Sequence, residues 1–330
     1  MNTLIKAGSE QNWQYNNMYL ACNFNMNCNL KCSYCINQTV RKNYTEQLSQ
    51  KALYNLFSNL PLLKKDFYTF GIAGGEPSLY TYFPELLKYL KDFFSPDTFQ
   101  LGIATNGSLL HKLEEYFQNY QNVNYCINIS LHLEQIQADT YLKKLSEFKY
   151  PHKSIITLML EPGTLEQVKH IKQKAERFGY EKFKIMPISI NLKLHPDYTE
   201  EEIEYLKTVS YGSETNLFNE YLDDDQIIKK EFTKTEYNLD HQLINYSGLQ
   251  CLAGCNSLKI LPDGTIHPCH WHRGDPNFNL NTRSLLDYTY IYQPIICKSS
   301  YCGCHSFTAL PKWNPEYAEA PDYFLNKPQS

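Results

Sequence analysis

Three cysteines, Cys28, Cys32 and Cys35, stand at C-x3-C-x2-C spacing inside CNFNMNCNLKCSYC. That stretch, Cys22 to Cys35, holds four of the chain's eleven cysteines. Thiolates packed this closely are soft donors, suited to zinc or to an iron–sulfur cluster. A 4Fe–4S cluster held by protein alone takes four cysteines, one per iron. Three in one loop hold three irons and leave the fourth open to an outside ligand. Structural zinc is the competing occupant, but it closes its shell with four ligands, usually arranged as CxxC pairs. Cys22 could be the fourth, yet strand alternation gives it a place in the core. The open iron matches the spacing better, and zinc remains the alternative.

A second set, Cys251, Cys255, Cys269, Cys297, Cys302 and Cys304, lies far along the chain, interleaved with His267, His270, His272 and His305. On residue types alone, zinc and an iron–sulfur cluster suit this set equally. Cys126 stands alone in VNYCINIS and is expected to be a buried core thiol.

The elements that must position these residues alternate. Strand signals at 18–24, 66–75, 99–107, 123–132, 153–162 and 182–190 are separated by helical periodicity over 44–60, 83–94, 109–118, 139–148 and 164–179. Such alternation predicts an α/β fold, a parallel sheet wound by helices as a partial (β/α)6 TIM-like barrel or an open sheet. In either form, chemistry gathers where strands end. Cys28–Cys35 follow the first strand, Gly74–Pro77 the second and Thr105-Asn106-Gly107 the third, while Ser130-Leu131-His132 closes the fourth. One shared site on one face is expected.

Composition narrows the class. The chain has 330 residues, 42% of them apolar, with 31 Lys and Arg against 35 Asp and Glu for a net charge of −4. A sizeable core is expected, and a nucleic-acid groove, which leaves a basic footprint, is not. Neither a signal peptide nor an apolar run near the ~20 residues of a membrane span is present. A cytoplasmic protein with reduced thiols is expected, so clustered cysteines point to metal rather than disulfides.

With these residues in hand, CNLKCSYC resembles the signature loop of the radical S-adenosylmethionine (radical SAM) enzymes, Tyr34 filling its aromatic slot. GGEP, Gly74-Gly75-Glu76-Pro77, is similar to that family's second motif, at the end of the second strand. The resemblance covers about residues 18–190. It implies a 4Fe–4S cluster on Cys28, Cys32 and Cys35 whose open iron is chelated by the methionine part of S-adenosylmethionine. One electron would then cleave the cofactor to a 5′-deoxyadenosyl radical that takes hydrogen from a substrate C–H bond. Gly74 and Gly75 would let backbone approach the ligand, Glu76 would accept from the substrate's ammonium group, and Pro77 would fix the turn. Ser130 would contact the ribose or the methionine carboxylate, Asn106 belongs to a TNG segment common at this place, and backbone from Met186 to Ile188 would face the adenine. If the net reaction is an oxidation it needs a base, and His132 and Glu134 lie just past the fourth strand.

The C-terminal set, with Cys251, Gly264 and Cys269 at C-x12-G-x4-C around a Pro262-Asp263-Gly264 hairpin signal, resembles the start of SPASM or twitch extensions. These are small β-hairpin modules holding auxiliary clusters. The full SPASM pattern is absent, so one auxiliary 4Fe–4S cluster is expected. Cys251 and Cys269 are its firmest ligands, joined by two among Cys297, Cys302 and Cys304, with Cys255 as a substitute; a second, partly ligated cluster is the alternative. The expected organisation is an N-terminal segment 1–17, a partial barrel 18–195, a bridging region 196–248 and the auxiliary domain 249–330. The substrate is expected to be a ribosomally made peptide, to be cross-linked, oxidised or epimerised; a sugar, aminocyclitol or nucleotide is the alternative. A non-catalytic iron–sulfur or zinc scaffold is the third reading. A reductase such as flavodoxin or ferredoxin is the expected partner. With 27 residues before Cys28, leader binding is expected to fall to a separate protein.

Overall fold

The computed structural model describes residues 3–37, 43–120, 123–190, 193–209, 216–233, 244–300, 302 and 308–325. By contacts the chain divides into two compact units, each built from separated segments. One comprises Cys22–Gln50 and Gly71–Tyr211. The other comprises Met1–Ala21, Lys51–Phe70 and Gly212–Ser330.

The strands are β1 (Thr3–Gly8), β2 (Met18–Asn25), β3 (Tyr68–Gly74), β4 (Phe99–Thr105), β5 (Tyr125–Leu131), β6 (Ser154–Leu160) and β7 (Lys182–Pro187). Strands β2 to β7 lie side by side in chain order. Registers run parallel from β4 to β7, with Thr105 opposite Ile129, Ser130 opposite Thr157 and Met159 opposite Met186. This is the mixed α/β fold with a parallel sheet that the alternation predicts. α1 (Glu10–Gln14) links β1 to β2, and the connections from β2 onward carry α2 (Gln50–Asn59), α3 (Phe83–Phe93), α4 (Leu110–Asn119), α5 (Ala138–Glu147) and α6 (Leu165–Arg177). Each of the four after β3 turns one apolar stripe inward: Leu86, Leu87 and Leu90 on α3, Leu113 and Phe117 on α4, Leu145 on α5, Val168 and Ile171 on α6, all buried. Each such side chain stabilises by about 1.5–3 kcal/mol.

Two expectations need correction. The helix predicted from residue 44 begins at Gln50, because the backbone before it is bonded elsewhere: Leu48 donates its N–H to Phe24 O and accepts from the Tyr80 hydroxyl. Cys126 is not a core thiol. In β5 the buried residues are Tyr125, Ile127, Ile129 and Leu131, and Cys126, Asn128 and Ser130 share the opposite, half-exposed face. The charges of Lys182 and Lys184 on β7 pull the Cys126 thiol down against the burial that raises it.

Two further short strands, β8 (Ser189–Ile190) and β9 (Lys193–Leu194), and α7 (Glu200–Thr208) complete this unit. Thr199 and Glu202 form a capping box at the start of α7. The buried Glu202 carboxylate also accepts from Gly163 N at 2.6 Å, fixing the helix to the loop after β6.

The other unit holds β10 (Asn216–Asp223), β11 (Gln226–Thr233), β12 (Gln250–Cys251), β13 (Ser257–Ile260), β14 (Ile266–His267), β15 (Ile295–Ile296), β16 (Lys312–Trp313) and α8 (Asp322–Leu325). Its six-stranded sheet runs β11-β10-β1-β16-β12-β15, every neighbouring pair antiparallel. The N-terminal segment is thus a central strand of this sheet. β13 and β14 form the hairpin expected around Pro262–Gly264. Gly264 supplies the left-handed residue at φ +86°, where a Cβ would meet the Asn281 and Asn279 side chains. Among the described residues, no helix is long and apolar enough to cross a membrane.

Candidate functional site

The chain leaves β2 at Asn25 and reaches Cys28 three residues later. What fixes that exit is the GGEP turn. Gly75 N donates to Asn25 O at 3.0 Å and Glu76 N to Asn27 O at 2.7 Å. A Cβ on Gly75 would lie 2.0 Å from Asn27 O, and one on Gly74, whose φ is +111°, 2.6 Å from Asn25 O. The sequence assigns the room left by these glycines to a ligand. In the fold, the group that comes close is the backbone leading to Cys28.

Glu76 is 0% exposed. Its Oε1 accepts from Ser78 N (3.2 Å), Ser78 Oγ (2.7 Å) and Thr105 Oγ1 (2.8 Å), and its Oε2 from Asn106 N (2.8 Å). A carboxylate offers about four lone-pair sites. Oε1 is saturated, so any ammonium contact must use the second lone pair of Oε2. The role visible here is to join the end of β3 to the end of β4. Pro77 follows at the first position of a short 3-10 turn, Pro77–Leu79, which the Glu76 side chain caps.

Asn106 then reaches the cysteines directly. Its Nδ2 donates to Cys28 Sγ at 3.6 Å and to Asn29 Oδ1 at 3.0 Å, and Leu30 N points at the same sulfur from 3.5 Å. N–H donors aimed at a ligand sulfur are one of the levers that set cluster potential. Asn29 in turn donates to Ser108 Oγ.

The loop after β5 grips the other side of the cysteine loop. Lys31 N donates to Gln135 Oε1 (3.1 Å) and Ser33 N to Glu134 Oε2 (2.8 Å). The Tyr34 hydroxyl lies 3.1 Å from His132 Nδ1 and 3.3 Å from Glu161 Oε1, with the two rings stacked. A phenol has one proton. Glu161 can only accept it, so with that bond made the contact with His132 calls for the tautomer that carries its proton on Nδ1. Burial, and then the Glu161 charge, push the Tyr34 pKa well above its ordinary value, so the tether keeps its proton. Of the two residues expected as a base, Glu134 has its Oε2 on the cysteine loop and His132 has its Nδ1 on the Tyr34 hydroxyl. Burial, together with the charges of Cys35, Cys28 and Glu134, pushes the Cys32 thiol up to about 11.

Ser130 stands half-exposed at the end of β5, in register with Thr157, and Met186 lies on β7 opposite Met159. All the residues expected at the first site thus fall at neighbouring strand ends of one unit. The sequence reading missed Tyr141, buried on α5, whose hydroxyl accepts from His132 N and donates to Asn106 O at 3.1 Å each. It missed Glu161 and Gln135 as well. Helical periodicity marks Tyr141 only as core; its polar role appears once two strand ends are brought to its hydroxyl.

The C-terminal cysteines gather separately. Cys251, Cys269, Cys297, Cys302, His272 and Lys312 all line one cavity. The sheet sets this up: Cys251 on β12 is opposite Ile295 on one side and Lys312 on the other. Cys297 follows β15, its N–H donating to Leu249 O at 2.8 Å, and Cys269 lies two residues past the hairpin. Burial pushes the Cys251 thiol up to about 12 against the pull of Lys312. Burial pulls the Lys312 ammonium down, but the thiolates of Cys302, Cys251, Cys297 and Cys269 outweigh it and leave its pKa raised. Cys255 is not at the cavity: its thiol is 0% exposed, packs with Leu252 and Trp313, and points at Tyr290 O. Cys304 and His305 lie outside the described residues.

No described cysteine forms a disulfide. Among the described residues, no three His, Cys, Asp or Glu side chains are gathered closely enough for one metal ion. Both donor sets fit an iron–sulfur cluster, which takes each thiolate at a different corner. At the first site three thiols share a loop with two N–H donors turned on Cys28, and at the second four thiols ring a cavity.

Comparison with known proteins agrees with this geometry. A family model described as the Radical SAM superfamily matches residues 22–209. Relatives named GTP 3′,8-cyclase, from Rippkaea orientalis and Crocosphaera subtropica, are 26% and 29% identical over 196 residues; each match covers 58% of this chain, and 52% and 51% of the relative. The chain thus spans about half the length of these curated relatives. A probable GTP 3′,8-cyclase of Methanococcus maripaludis is 23% identical over 265 residues, 73% of this chain and 81% of that protein. Among solved structures, anSMEcpe with bound AdoMet and the Cp18Cys peptide aligns with TM-score 0.52 at 14% identity, over 83% of this chain and 80% of its own. Streptococcus suis SuiB bound to the precursor peptide SuiA aligns with TM-score 0.53 at 17% identity, over 83% and 64%. At such identities the likeness is one of fold. Family match and strand-end geometry together establish that this chain belongs to the Radical SAM superfamily.

Proposed function

We propose that this radical SAM enzyme reductively cleaves S-adenosylmethionine at a 4Fe–4S cluster held by Cys28, Cys32 and Cys35, and abstracts hydrogen from a ribosomally made peptide. The observation that carries the reading is the pair of donors, Leu30 N and Asn106 Nδ2, turned on the Cys28 sulfur at the mouth of a parallel sheet. When bound, the cluster supplies the electron and the cofactor the radical. The chain's own work is positional. Gly74 and Gly75 bring the turn against the cysteine loop, Glu76 fixes the end of β4, and Tyr34, His132 and Glu134 hold the loop from the far side. Ser130 is assigned to the ribose or carboxylate of the cofactor and Met186 to its adenine. His132 or Glu134 is the base where the net reaction is an oxidation.

The four thiols of Cys251, Cys269, Cys297 and Cys302 are assigned to one auxiliary 4Fe–4S cluster in a SPASM/twitch-type domain. A peptide substrate is supported by the peptide-bound neighbours of like fold. The half-exposed face of β5 and β7 favours a second reading, a nucleotide: Lys182 and Lys184 there offer positive charge to a phosphate, and the curated relatives are named for GTP. A flavodoxin or ferredoxin is the reductant assigned, with a separate protein to bind a leader, all in a reducing cytoplasm.

Anaerobically reconstituted protein with dithionite is expected to convert S-adenosylmethionine to 5′-deoxyadenosine, and the C28A/C32A/C35A variant is expected not to. Cleavage that survives in that variant removes the reading. Adding a candidate precursor peptide or GTP separates the substrates: the true one gains mass-shifted product and the other is recovered intact.

A further inference from the structure

On the half-exposed face of the parallel sheet, polar side chains run across three strands in register. Residues opposite one another in parallel strands project to the same face. Asn128 is opposite Ile155, and Ile155 opposite Lys182; one row further on, Ser130 is opposite Thr157, and Thr157 opposite Lys184. On β4 the same face carries Gly102 beside Cys126 and Ala104 beside Asn128, so that strand puts no bulky side chain next to them. Donors are in excess here. Thr157 Oγ1 donates to Asn128 Oδ1 at 2.6 Å, which occupies the amide's acceptor and leaves its Nδ2 donors without a protein partner among the described residues. Lys182 and Lys184 have no carboxylate partner among the described residues either. The carboxylates at the strand ends are engaged elsewhere: Glu76 with Ser78, Thr105 and Asn106, Glu134 with Ser33 N, and Glu161 with the Tyr34 hydroxyl. Burial lowers the Lys184 pKa, and only the Cys126 charge opposes it. A partly desolvated ammonium of this kind is stabilised by an anion placed beside it.

We propose that Lys184 and Asn128 form a seat for an oxyanion carried by the substrate, a carboxylate of a peptide or a phosphate of a nucleotide, with Lys182 as a second cation at its exposed edge. Resting on the substrate readings given above, the seat serves either of them and takes no part in proton transfer. Lys184 brings the charge and Asn128 a neutral donor, and hydrogen bonds to an ionised acceptor are the stronger kind, so an anionic substrate is selected over its neutral counterpart. Lys184 shares the row of Ser130 and stands two residues before Met186. The seat therefore lies about 6–7 Å deeper along the strands than the position assigned to the adenine.

Cys126, half-exposed on the same face, serves as the reporter. Cluster-loaded protein with S-adenosylmethionine and no reductant is pulsed with iodoacetamide. The tryptic peptide 113–143, whose one cysteine is Cys126, is then quantified by mass spectrometry. The probes are GTP, inorganic triphosphate, a blocked pentapeptide with a central glutamate, and its glutamine counterpart. An anionic probe is expected to slow alkylation, and the glutamine peptide to leave it unchanged. The probe concentration for half protection is expected to rise about tenfold in K184M and to stay within about threefold in K184R. N128D keeps the acceptor for Thr157 but sets a carboxylate where the donors were, and is expected to weaken the probe by about tenfold as well. Protection by GTP and triphosphate alone assigns the seat to a phosphate, and protection by the glutamate peptide alone assigns it to a carboxylate; either upholds it. Three results overturn it: no protection by any probe in the parent protein, which needs no variant to fold; the same half-protection in parent, K184M and N128D; or Lys184-dependent protection by S-adenosylmethionine alone, which makes the lysine a cofactor ligand. Formation of 5′-deoxyadenosine with dithionite requires no substrate anion, so that assay shows separately whether the radical chemistry itself fails.

Discussion

A single hydroxyl at Tyr34 does more for the cysteine loop than the aromatic slot in its motif suggests. It accepts a hydrogen bond from His132 Nδ1–H and donates one to Glu161, whose Oε1 also accepts from Glu134 N at 3.2 Å. Removing it leaves the imidazole N–H without its acceptor and Glu161 short of a donor, a loss of about 1–3 kcal/mol where the groups are out of water. Y34F is therefore expected to fold and to take up iron, but to hold it less well. Each 1.4 kcal/mol is a factor of ten, so chelator-driven iron loss from the N-terminal site should speed up by about tenfold. Loss rates within twofold of the parent protein would show that the tether does not restrain the loop. E161Q keeps the shape and removes the charge, and is expected to fall between the two. Tyr34 is legible from the motif, but its two partners are not: His132 and Glu161 stand 98 and 127 residues away in sequence, and no periodicity relates them.

At the level of elements, the approach of the β3 turn to the exit of β2 is the contact that everything at the first site depends on. Ala at Gly75 would drive its Cβ into Asn27 O and Met26 C, both backbone atoms, which cannot swing aside as a side-chain tip can. G75A is expected to cost about 1–3 kcal/mol as overpacking and, by shifting Asn27, to lower the iron bound at Cys28–Cys35. G163A is the control: nothing lies within 4 Å of its Cβ, but its φ of +80° strains any other residue, for about 1–2 kcal/mol. It should lower the melting temperature and leave iron content unchanged; equal iron loss in both variants would break the link between turn and loop. Elements are also where sequence serves best. Period-two and helical patterns locate β2 to β7 and α3 to α6 to within a few residues, because each buries a regular stripe. They fail at 44–49, where Leu48 is bonded to Phe24 and Tyr80, and at Cys126, where strand alternation turns the thiol away from the core. Likewise, local spacing groups six C-terminal cysteines, but only the pairing of β12 with β15 and β16 shows that Cys251 is at the cavity and Cys255 is not.

For the molecule as a whole, chain order and contact order disagree. Read along the chain, residues 249–330 look like a module that could be removed. In the fold, those residues supply β12, β15 and β16 to the sheet that contains β1. Asn314 N donates to Ile5 O at 2.8 Å and Ser9 N to Ala309 O at 3.0 Å, while Trp13 packs edge-on against Trp313 with ring centroids 6.4 Å apart. Lys65, 9% exposed, donates to Asn256 Oδ1 from a segment nearly two hundred residues earlier. Cutting after residue 248 would leave β1 with an open ladder on one side, bare the Trp13 ring, and deprive Lys65 of an acceptor. An unpaired strand edge beside exposed aromatic surface is an aggregation site. Fragment 1–248 is therefore expected to elute as aggregate and to show no cooperative melt, even though it retains the whole family-matched region at 22–209. C251A/C269A/C297A/C302A in the full chain keeps every strand and should elute as the parent protein does, melt cooperatively and load iron at Cys28–Cys35. The opposite pattern, a well-behaved fragment that takes up a cluster, would mean that the C-terminal residues are an accessory and that β1 needs only β10 to hold its place.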